Sequence, residues 1–419
     1  MKAFVGIDWG RQDLWVAVVD QDENTLGAKR FDNTMRGAKE MIEWILKVSS
    51  CEKEEIAIGI ETKSLSVVDV LLEEDFEVFT ISPFCMEKFR GMYSPSRSKS
   101  DKQDAVVLAR TIRRDPKAFR KVVKEDEKIA RLREWTRRLC DIKEEQVRLM
   151  NRIQDFLARY FPNFLRIAPS FDSKWVWELW EICKSPREAK KLKRETVEKI
   201  LKWHKVRSVT VEQVISELSE EGLIQSKDFE KDYKALVEMD FERLMQAFEQ
   251  AKVCERHIDR ITQEIERWER KEENRKVTTV ESISSLPGAG RVVTAIILAE
   301  AYSLVRNAKY RELRIYSGAA PVTRQSGSSR FVMMRRSCNR YLRYALYHLA
   351  RGAMVNSVHW RRLYAEERRR GKRHGTALRK IGDKLLCILA RLLIDQSLYD
   401  EEVVKKNAEK KLALTERRP

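Results

Sequence analysis

The stretch Arg97-Ser98-Lys99-Ser100-Asp101-Lys102-Gln103-Asp104-Ala105 places two carboxylates three residues apart, where a polar segment gives way to an apolar run. The apolar positions that follow have helical spacing, and residues three apart on a helix share a face. Both acids are therefore predicted to point the same way. One interpretation is a helix N-cap, because an Asp there accepts a backbone N–H and suits the helix dipole. The other is a functional site.

Acids at two other positions favour the interpretation as a functional site. Ala3-Phe4-Val5-Gly6-Ile7-Asp8 has the pattern of a strand that ends in an acid, and Ile56-Ala57-Ile58-Gly59-Ile60-Glu61 repeats it. Four carboxylates can thus converge from two strand ends and one helix start: Asp8, Glu61, Asp101 and Asp104. Carboxylate oxygens are the ligands that Mg²⁺ or Mn²⁺ prefers. The sequence therefore predicts a divalent metal site in which these four residues are both ligands and catalytic groups.

The pattern around these acids predicts an α/β domain over residues 1–124. Predicted strands cover 3–8, 13–20 and 26–32, followed by a helix at 34–48, a strand at 56–61, a helix at 63–73 and a strand at 77–81. Three leading strands followed by alternating helix and strand predict a ribonuclease-H-like sheet. Gly6-Ile7-Asp8-Trp9-Gly10 also resembles the phosphate loop of actin-like sugar kinases, but the later Gly-rich adenosine loops of that class are missing.

The remaining chain is predicted to be all-α. Apolar residues at coiled-coil spacing predict two long arms, 125–161 and 233–275, on either side of a Trp-rich helical insertion at 162–232. Periodicity leaves open whether the arms pair within one chain or between two. In the insertion, Trp175, Trp177 and Trp180 are expected to pack a small core rather than stack on bases. A mainly helical domain at 276–395 and a polar tail at 396–419 complete the chain.

Composition points to a polyanionic partner. The chain has 83 Lys and Arg against 65 Asp and Glu, a net charge of +18, and such a field favours nucleic acid. No apolar run of membrane-spanning length and no signal peptide is evident, which predicts a soluble protein without a membrane partner. The seven cysteines have no metal-binding spacing, so reduced thiols in a cytoplasm are expected.

Two segments of the C-terminal domain carry candidate chemistry. The turn Leu286-Pro287-Gly288-Ala289-Gly290-Arg291 either leaves backbone N–H groups free for a DNA phosphate or simply joins two helices. The polar loop Arg324 to Arg330 brackets serines with arginines, as a serine that attacks a phosphodiester would need. A basic helix that contains Arg335, Arg336, Arg340 and Arg343 is predicted to follow. The predicted nucleic-acid-binding residues are Lys99, Gly288, Gly290, Arg291, Arg324, Arg330, Arg335, Arg336, Arg340 and Arg343.

Taken together, five motifs resemble a known family. They are Gly6-Ile7-Asp8, Ile60-Glu61, the Asp101 motif, Leu286-Pro287-Gly288-x-Gly290, and Gly318-x-x-Pro321 followed by Ser326-Gly327. The family is that of the Piv/MooV-like DEDD insertion-sequence transposases, understood as bridge-RNA-guided recombinases. The resemblance implies a RuvC-like first domain with a metal-binding tetrad at Asp8, Glu61, Asp101 and Asp104. It also implies a C-terminal transposase domain in which Ser326 is the nucleophile and forms a phosphoserine intermediate.

The resemblance further implies partners and a location. A noncoding guide RNA would pair with double-stranded donor and target DNA, and a homodimer or homotetramer would assemble around both duplexes. The protein would then be cytoplasmic and associated with a prokaryotic nucleoid. Two other functions remain open from the residues themselves. A RuvC-like junction nuclease would use the acids and water but not Ser326, and a non-enzymatic nucleic-acid scaffold would need neither.

Overall fold

Apolar strands near the N-terminus build a mixed sheet with six strands in the described part of the chain. The computed structural model describes residues 1–61, 66–93, 100–220, 226–327 and 329–407, and the chain divides into two units, Met1–Asp126 and Glu127–Pro419. The strands of the first unit are β1 (Ala3–Trp9), β2 (Asp13–Asp20), β3 (Thr25–Asp32), β4 (Ile56–Ile60), β5 (Glu77–Thr80) and β6 (Arg120–Lys121). Their spatial order is β3-β2-β1-β4-β5-β6. Neighbours β1 and β4 are parallel, whereas β1–β2, β2–β3 and β5–β6 are antiparallel.

In the described part of this unit, four helices cover the sheet. They are α1 (Met35–Ser49), α2 (Ser66–Glu73), α3 (Pro83–Tyr93) and α4 (Asp101–Arg114). All five residues of β4 are buried, as expected for a strand that is covered on both faces. The predicted strands and helices up to residue 81 are confirmed, with boundaries that differ by at most one residue; the predicted start of the second helix at residue 63 lies outside the described residues. Helix α3 and strand β6 were not predicted, because α3 shows no continuous apolar face and β6 has only two residues.

Two long helices organise the second unit. Helices α5 (Glu127–Tyr160) and α11 (Lys227–Glu272) pack antiparallel within the one chain. Lys143 at the middle of α5 faces Glu255 at 3.5 Å, and Arg152 further along α5 faces Asp240 at 2.5 Å. The apolar residues at coiled-coil spacing therefore pair the two helices within one chain. This answers the question that the periodicity of the sequence left open.

The segment between the long helices folds into short helices. These are α6 (Pro162–Ile167), α7 (Lys174–Ile182), α8 (Pro186–Ala189), α9 (Arg194–Trp203) and α10 (Val211–Ser219). Trp180 is fully buried, with Phe164 and Phe171 in contact at ring-centroid distances of 5.6 and 6.1 Å. Trp175 and Trp177 pack against the same apolar cluster. The expected core role of these three tryptophans is thus confirmed.

The C-terminal part packs against the opposite ends of α5 and α11. Its elements are α12 (Thr279–Ser284), α13 (Arg291–Arg306), α14 (Tyr310–Tyr316), β7 (Val322–Ser326), β8 (Ser329–Met333), α15 (Arg340–Asn356), α16 (Val358–Arg369) and α17 (His374–Asp395). Buried residues of α13, α15 and α17 form one apolar core with those of the two long helices. Across the described ranges, every helix is too short or too polar to cross a membrane.

Candidate functional site

Two of the predicted acids stand at neighbouring strand ends. Asp8 is the penultimate residue of β1, and Glu61 directly follows β4. The strands β1 and β4 are parallel, with Ile7 opposite Ile60, so the two acids continue the same register. Both are half-buried. The sheet therefore brings Asp8 and Glu61 to the same edge, as their positions in the sequence predicted.

Helix α4 reaches the sheet through a contact that only glycine permits. A Cβ atom at Gly6 would lie 2.7 Å from Cβ of Leu108, and closer still to backbone atoms of Ala105 and Ala109. A Cβ at Gly59 would meet the same helix at 3.3 Å. The missing side chains thus let α4 lie directly on β1 and β4. This packing brings the first turn of α4 to the sheet face that carries the strand-end acids.

The two acids of α4 differ in burial. Asp104 is buried, with 4% of its surface exposed, whereas Asp101 is exposed. The N-cap alternative for Asp101 is wrong, because Ser100 is the cap and its side chain accepts the N–H of Gln103. Asp101 occupies the first helical position, where a negative charge suits the helix dipole.

Arg90 of α3 holds the buried carboxylate. Its Nε and Nη2 atoms each donate to one oxygen of Asp104, both at 2.8 Å. A bidentate guanidinium is among the strongest partners a carboxylate can have. Among the described residues, no three side chains of His, Cys, Asp or Glu come together as metal ligands. The carboxylate donors of Asp8, Glu61 and Asp104 suit a hard divalent cation by their chemistry, and the arginine neutralises Asp104 here.

The segment that was predicted to be a polar loop lies in a β-hairpin, and its two strands were not predicted. Strands β7 and β8 pair antiparallel, with Ser326 opposite Ser329 and Arg324 opposite Phe331. Paired residues share one face of a ladder, so Ser326 has Arg324 and Phe331 on its own side. Gly327 turns the chain with a φ of +54°, which a glycine adopts without strain. The hydroxyl of Ser326 therefore stands exposed at the tip of a hairpin.

The basic residues near the hairpin fall into two groups. Arg324, Arg330 and Arg336 are exposed. By contrast, Arg343 donates to the backbone carbonyls of Arg335 and Arg336, at 3.1 and 3.0 Å. Arg335 and Arg336 precede α15, so the expectation that both lie in the basic helix is wrong. Arg343 fixes the segment that leads into the helix.

Three further residues that were predicted to bind nucleic acid have partners within the chain. Arg335 donates to the carbonyl of Ala320 at 3.3 Å, and Arg340 forms an ion pair with Asp141 at 2.9 Å. Arg291 forms an ion pair with Asp259 at 2.6 Å, although its side chain is 79% exposed. These exposed pairs contribute little to stability and can exchange for a phosphate. Lys99, the remaining predicted contact, lies outside the described residues.

The Pro-Gly-x-Gly turn is packed rather than open. Gly288 has a φ of +89°, and a Cβ there would lie 2.6 Å from the carbonyl oxygen of Leu349 on α15. The N–H groups of Ala289 and Gly290 donate to the carbonyls of Leu286 and Gly288, both at 3.0 Å. These two donors are therefore not free for a phosphate. The geometry favours the alternative of a helix-joining turn.

A buried carboxylate positions the start of α15. Glu300 of α13 accepts from Arg137 at 2.6 and 2.9 Å and from the side-chain amide of Asn339 at 2.6 Å. The other side-chain atom of Asn339 accepts the N–H of Leu342 and so caps α15. Because α15 follows the hairpin, this network fixes the point from which β7 and β8 project. Sequence reasoning missed Glu300, Arg137 and Asn339.

Comparison with known proteins identifies the family. A profile of DEDD IS110 transposases matches residues 5–162, and a profile described as "Transposase IS116/IS110/IS902 family" matches residues 280–365. "Putative transposase y4uE" of Sinorhizobium fredii is 34% identical over 205 residues, which are 49% of this chain and 57% of that protein. "Mini-circle putative transposase for IS117" of Streptomyces coelicolor is 25% identical over 407 residues, 96% of each chain. The chain belongs to the IS110-like DEDD transposase family. The expectation drawn from the five motifs is thereby confirmed at the level of the family.

Both matched regions of this IS110-like transposase contain candidate sites. The first includes β1, β4 and α4 with the four acids, and the second includes the packed turn, the serine hairpin and α15. Sequence reasoning also missed Arg90, which lies in the first region. No signal in the sequence links it to Asp104, because the pair depends on how α3 and α4 pack.

Proposed function

We propose that this IS110-like transposase is a DNA recombinase that cuts and rejoins DNA through the hydroxyl of Ser326. The observation that carries the proposal is the place of this serine, exposed at the tip of a hairpin in the region matched by the transposase profile. Gly327 beside it has no side chain to hinder a phosphate. Arg324 and Arg330, both exposed on the same hairpin, supply positive charge around the tip.

The chemistry requires an exchange of one ester for another. The oxygen of Ser326 forms a bond to phosphorus, the bond from phosphorus to one deoxyribose oxygen breaks, and that oxygen takes up the proton lost by the serine. The phosphoserine conserves the ester, so a deoxyribose hydroxyl of another strand can reverse the step and rejoin DNA. Guanidinium groups of Arg324 and Arg330 would stabilise the negative charge that develops on the phosphorane.

The N-terminal unit is proposed to be a RuvC-like domain. The strand order β3-β2-β1-β4-β5, with the first three strands antiparallel, supports a ribonuclease-H-like sheet. Asp8, Glu61, Asp101 and Asp104 would hold Mg²⁺ or Mn²⁺. When bound, such an ion polarises a phosphate and lowers the barrier to its attack. In this mechanism the bidentate guanidinium of Arg90 holds the carboxylate of Asp104 in position until the ligand set assembles.

A guide RNA is proposed to supply target choice. The net charge of +18 and the exposed arginines suit contacts to a phosphate backbone, which carry no sequence information. An element-encoded noncoding RNA that pairs with donor and target DNA would supply the sequence specificity, as base pairing does in other guided systems. A homodimer or homotetramer, associated with the nucleoid, would hold the two duplexes.

A reconstituted recombination reaction tests this proposal. The expected result is that recombinants form with protein, donor DNA, target DNA and RNA transcribed from the flank of the element, and not when the RNA is omitted. Full activity without RNA would contradict the guide. In the same reaction, Asp8→Asn should abolish cleavage with the fold intact, whereas Asp22→Asn, at an exposed acid of the same unit, should leave activity unchanged. Cleavage by Asp8→Asn at the normal rate would contradict the role of the acids.

A further inference from the structure

A tryptophan in the helical insertion stands in solvent. Trp203 is the last residue of α9 and is 79% exposed, the highest fraction among the large apolar side chains of the described ranges. Its neighbours Val197, Ile200 and Leu201 are buried. Helix α9 is therefore anchored by its other face, and Trp203 lies outside the insertion's apolar core. An indole ring has a large apolar surface, so 79% exposure on an anchored helix suggests a ligand.

The backbone after Trp203 holds this arrangement in place. The N–H of Val206 donates to the carbonyl of Leu201 at 2.9 Å, and Lys205 has a φ of +52°, so the helix ends in a tight reversal. Nε2 of His204 lies 2.9 Å from Oε1 of Glu178 on α7. The end of α9 therefore lies beside α7, and Trp203 stands at the rim of the insertion.

Positive charge surrounds the exposed ring. Residues 190–207 contain eight Lys and Arg against two Glu. A recess of ≈ 820 Å³ opens beside the ring, lined by Glu178, Lys199, Ile200, Lys202, Trp203 and Lys205. Lys202 forms an ion pair with Glu198 at 2.7 Å on the exposed surface. A flat aromatic face within a basic recess is the combination that binds unpaired nucleotides, because the ring stacks on a base while the lysines neutralise phosphates.

We propose that Trp203 and the lysines of this recess bind an unpaired segment of RNA. A stacking platform needs a base that is free of its helix, and structured RNA presents such bases in loops and bulges, whereas duplex DNA does not. The inference rests on the RNA partner of the proposed function. It adds a site on the insertion, which neither matched family profile covers.

Lysine footprinting on the full-length protein tests this site. The single-stranded RNA (U)₈ is titrated, surface lysines are acetylated, and the protection of Lys199 and Lys205 is read by mass spectrometry. Half-protection should require about tenfold more RNA in Trp203→Leu, because one stacked base is lost while the apolar character remains. Trp203→Phe should restore most of the binding. Lys231, exposed on α11, serves as the internal control and should stay unprotected.

Other outcomes would contradict the proposal, and each points to a different explanation of the exposed ring. Equal protection in wild type and Trp203→Leu would rule out stacking on this ring. The same dependence with (dT)₈ at equal concentration would assign the site to single-stranded DNA instead. Loss of self-association in sedimentation by Trp203→Leu, without change in footprint, would make the ring a contact between copies. Failure of the guide would appear separately, as recombination without RNA while the footprint persists.

Discussion

Replacing Gly6 by alanine tests how α4 packs against the strands that carry the candidate acids. The added Cβ would lie 2.0 Å from the carbonyl oxygen of Ala105 and 2.7 Å from Cβ of Leu108, so the helix must withdraw by more than about 1 Å to reach ordinary contact. Because the added atom meets backbone, the free energy of unfolding should fall by at least about 3 kcal/mol, the upper end of the usual range for overpacked cores. The melting temperature of the N-terminal unit should fall by about 10 °C. Cleavage should fall about a hundredfold, because misplacing a catalytic group by 1 Å has that effect.

Hydrogen exchange read by mass spectrometry, together with calorimetry, measures both effects of Gly6→Ala. Amides of β1 and α4 should lose protection together. The control is Gly91→Ala on α3, where a Cβ meets nothing within 4 Å. This change should leave stability unaltered or raise it by about 0.5 kcal/mol, since alanine is the better helix former. An unchanged melting temperature and unchanged α4 protection in Gly6→Ala would refute the packing argument.

Three further predictions concern charged groups. Glu300→Gln should lower the free energy of unfolding by about 3 kcal/mol in a denaturant titration, since a buried ion pair loses one partner, whereas the exposed Glu312→Gln should change it by less than about 0.5 kcal/mol. Arg90→Gln should make thermal stability depend more strongly on Mn²⁺ than in wild type, because the oxygens of Asp104 lose their cation; an unchanged Mn²⁺ response would count against the metal role. Burial lowers the pKa of His348 below its usual value of 6.5. Because the unfolded chain then binds the proton more readily than the folded protein, the free energy of unfolding should fall as the pH drops from 7 to 5. His348→Gln should make the melting temperature depend less on pH in thermal-shift measurements.

The sheet could be predicted because its information is local. Continuous apolar stretches such as Ile56–Ile60 and acids at strand ends are visible in the sequence, and parallel neighbours then bring Asp8 beside Glu61. The seam of the long helices was visible for the same reason, as a period of apolar residues. Their pairing within one chain was not, since the same period serves a hairpin or a dimer.

The contacts that depend on tertiary packing could not be predicted. Arg90 reaches Asp104 only because α3 and α4 lie side by side, and α3 itself has a weak apolar pattern. Asn339 gave a signal that was overlooked, since Asn before an apolar-periodic helix is a typical N-cap. The hairpin was overlooked because Arg324 to Arg330 is polar and exposed, so no buried face imposes a period of two.

The central claim is that Ser326 is the nucleophile, and trapping the covalent intermediate tests it most directly. Wild-type protein incubated with end-labelled DNA, guide RNA and Mg²⁺ should yield a labelled protein band that survives denaturation, with the label on the peptide that contains Ser326. The Ser326→Ala protein should bind DNA as wild type does and yield neither adduct nor recombinant. Ser329→Ala, at the residue paired with Ser326 in the ladder, is the matched control and should keep activity, as should Ser328→Ala, although Ser328 lies outside the described residues. If Ser326→Ala still cuts DNA in Mg²⁺ and releases free ends, water is the nucleophile and the protein is a junction nuclease.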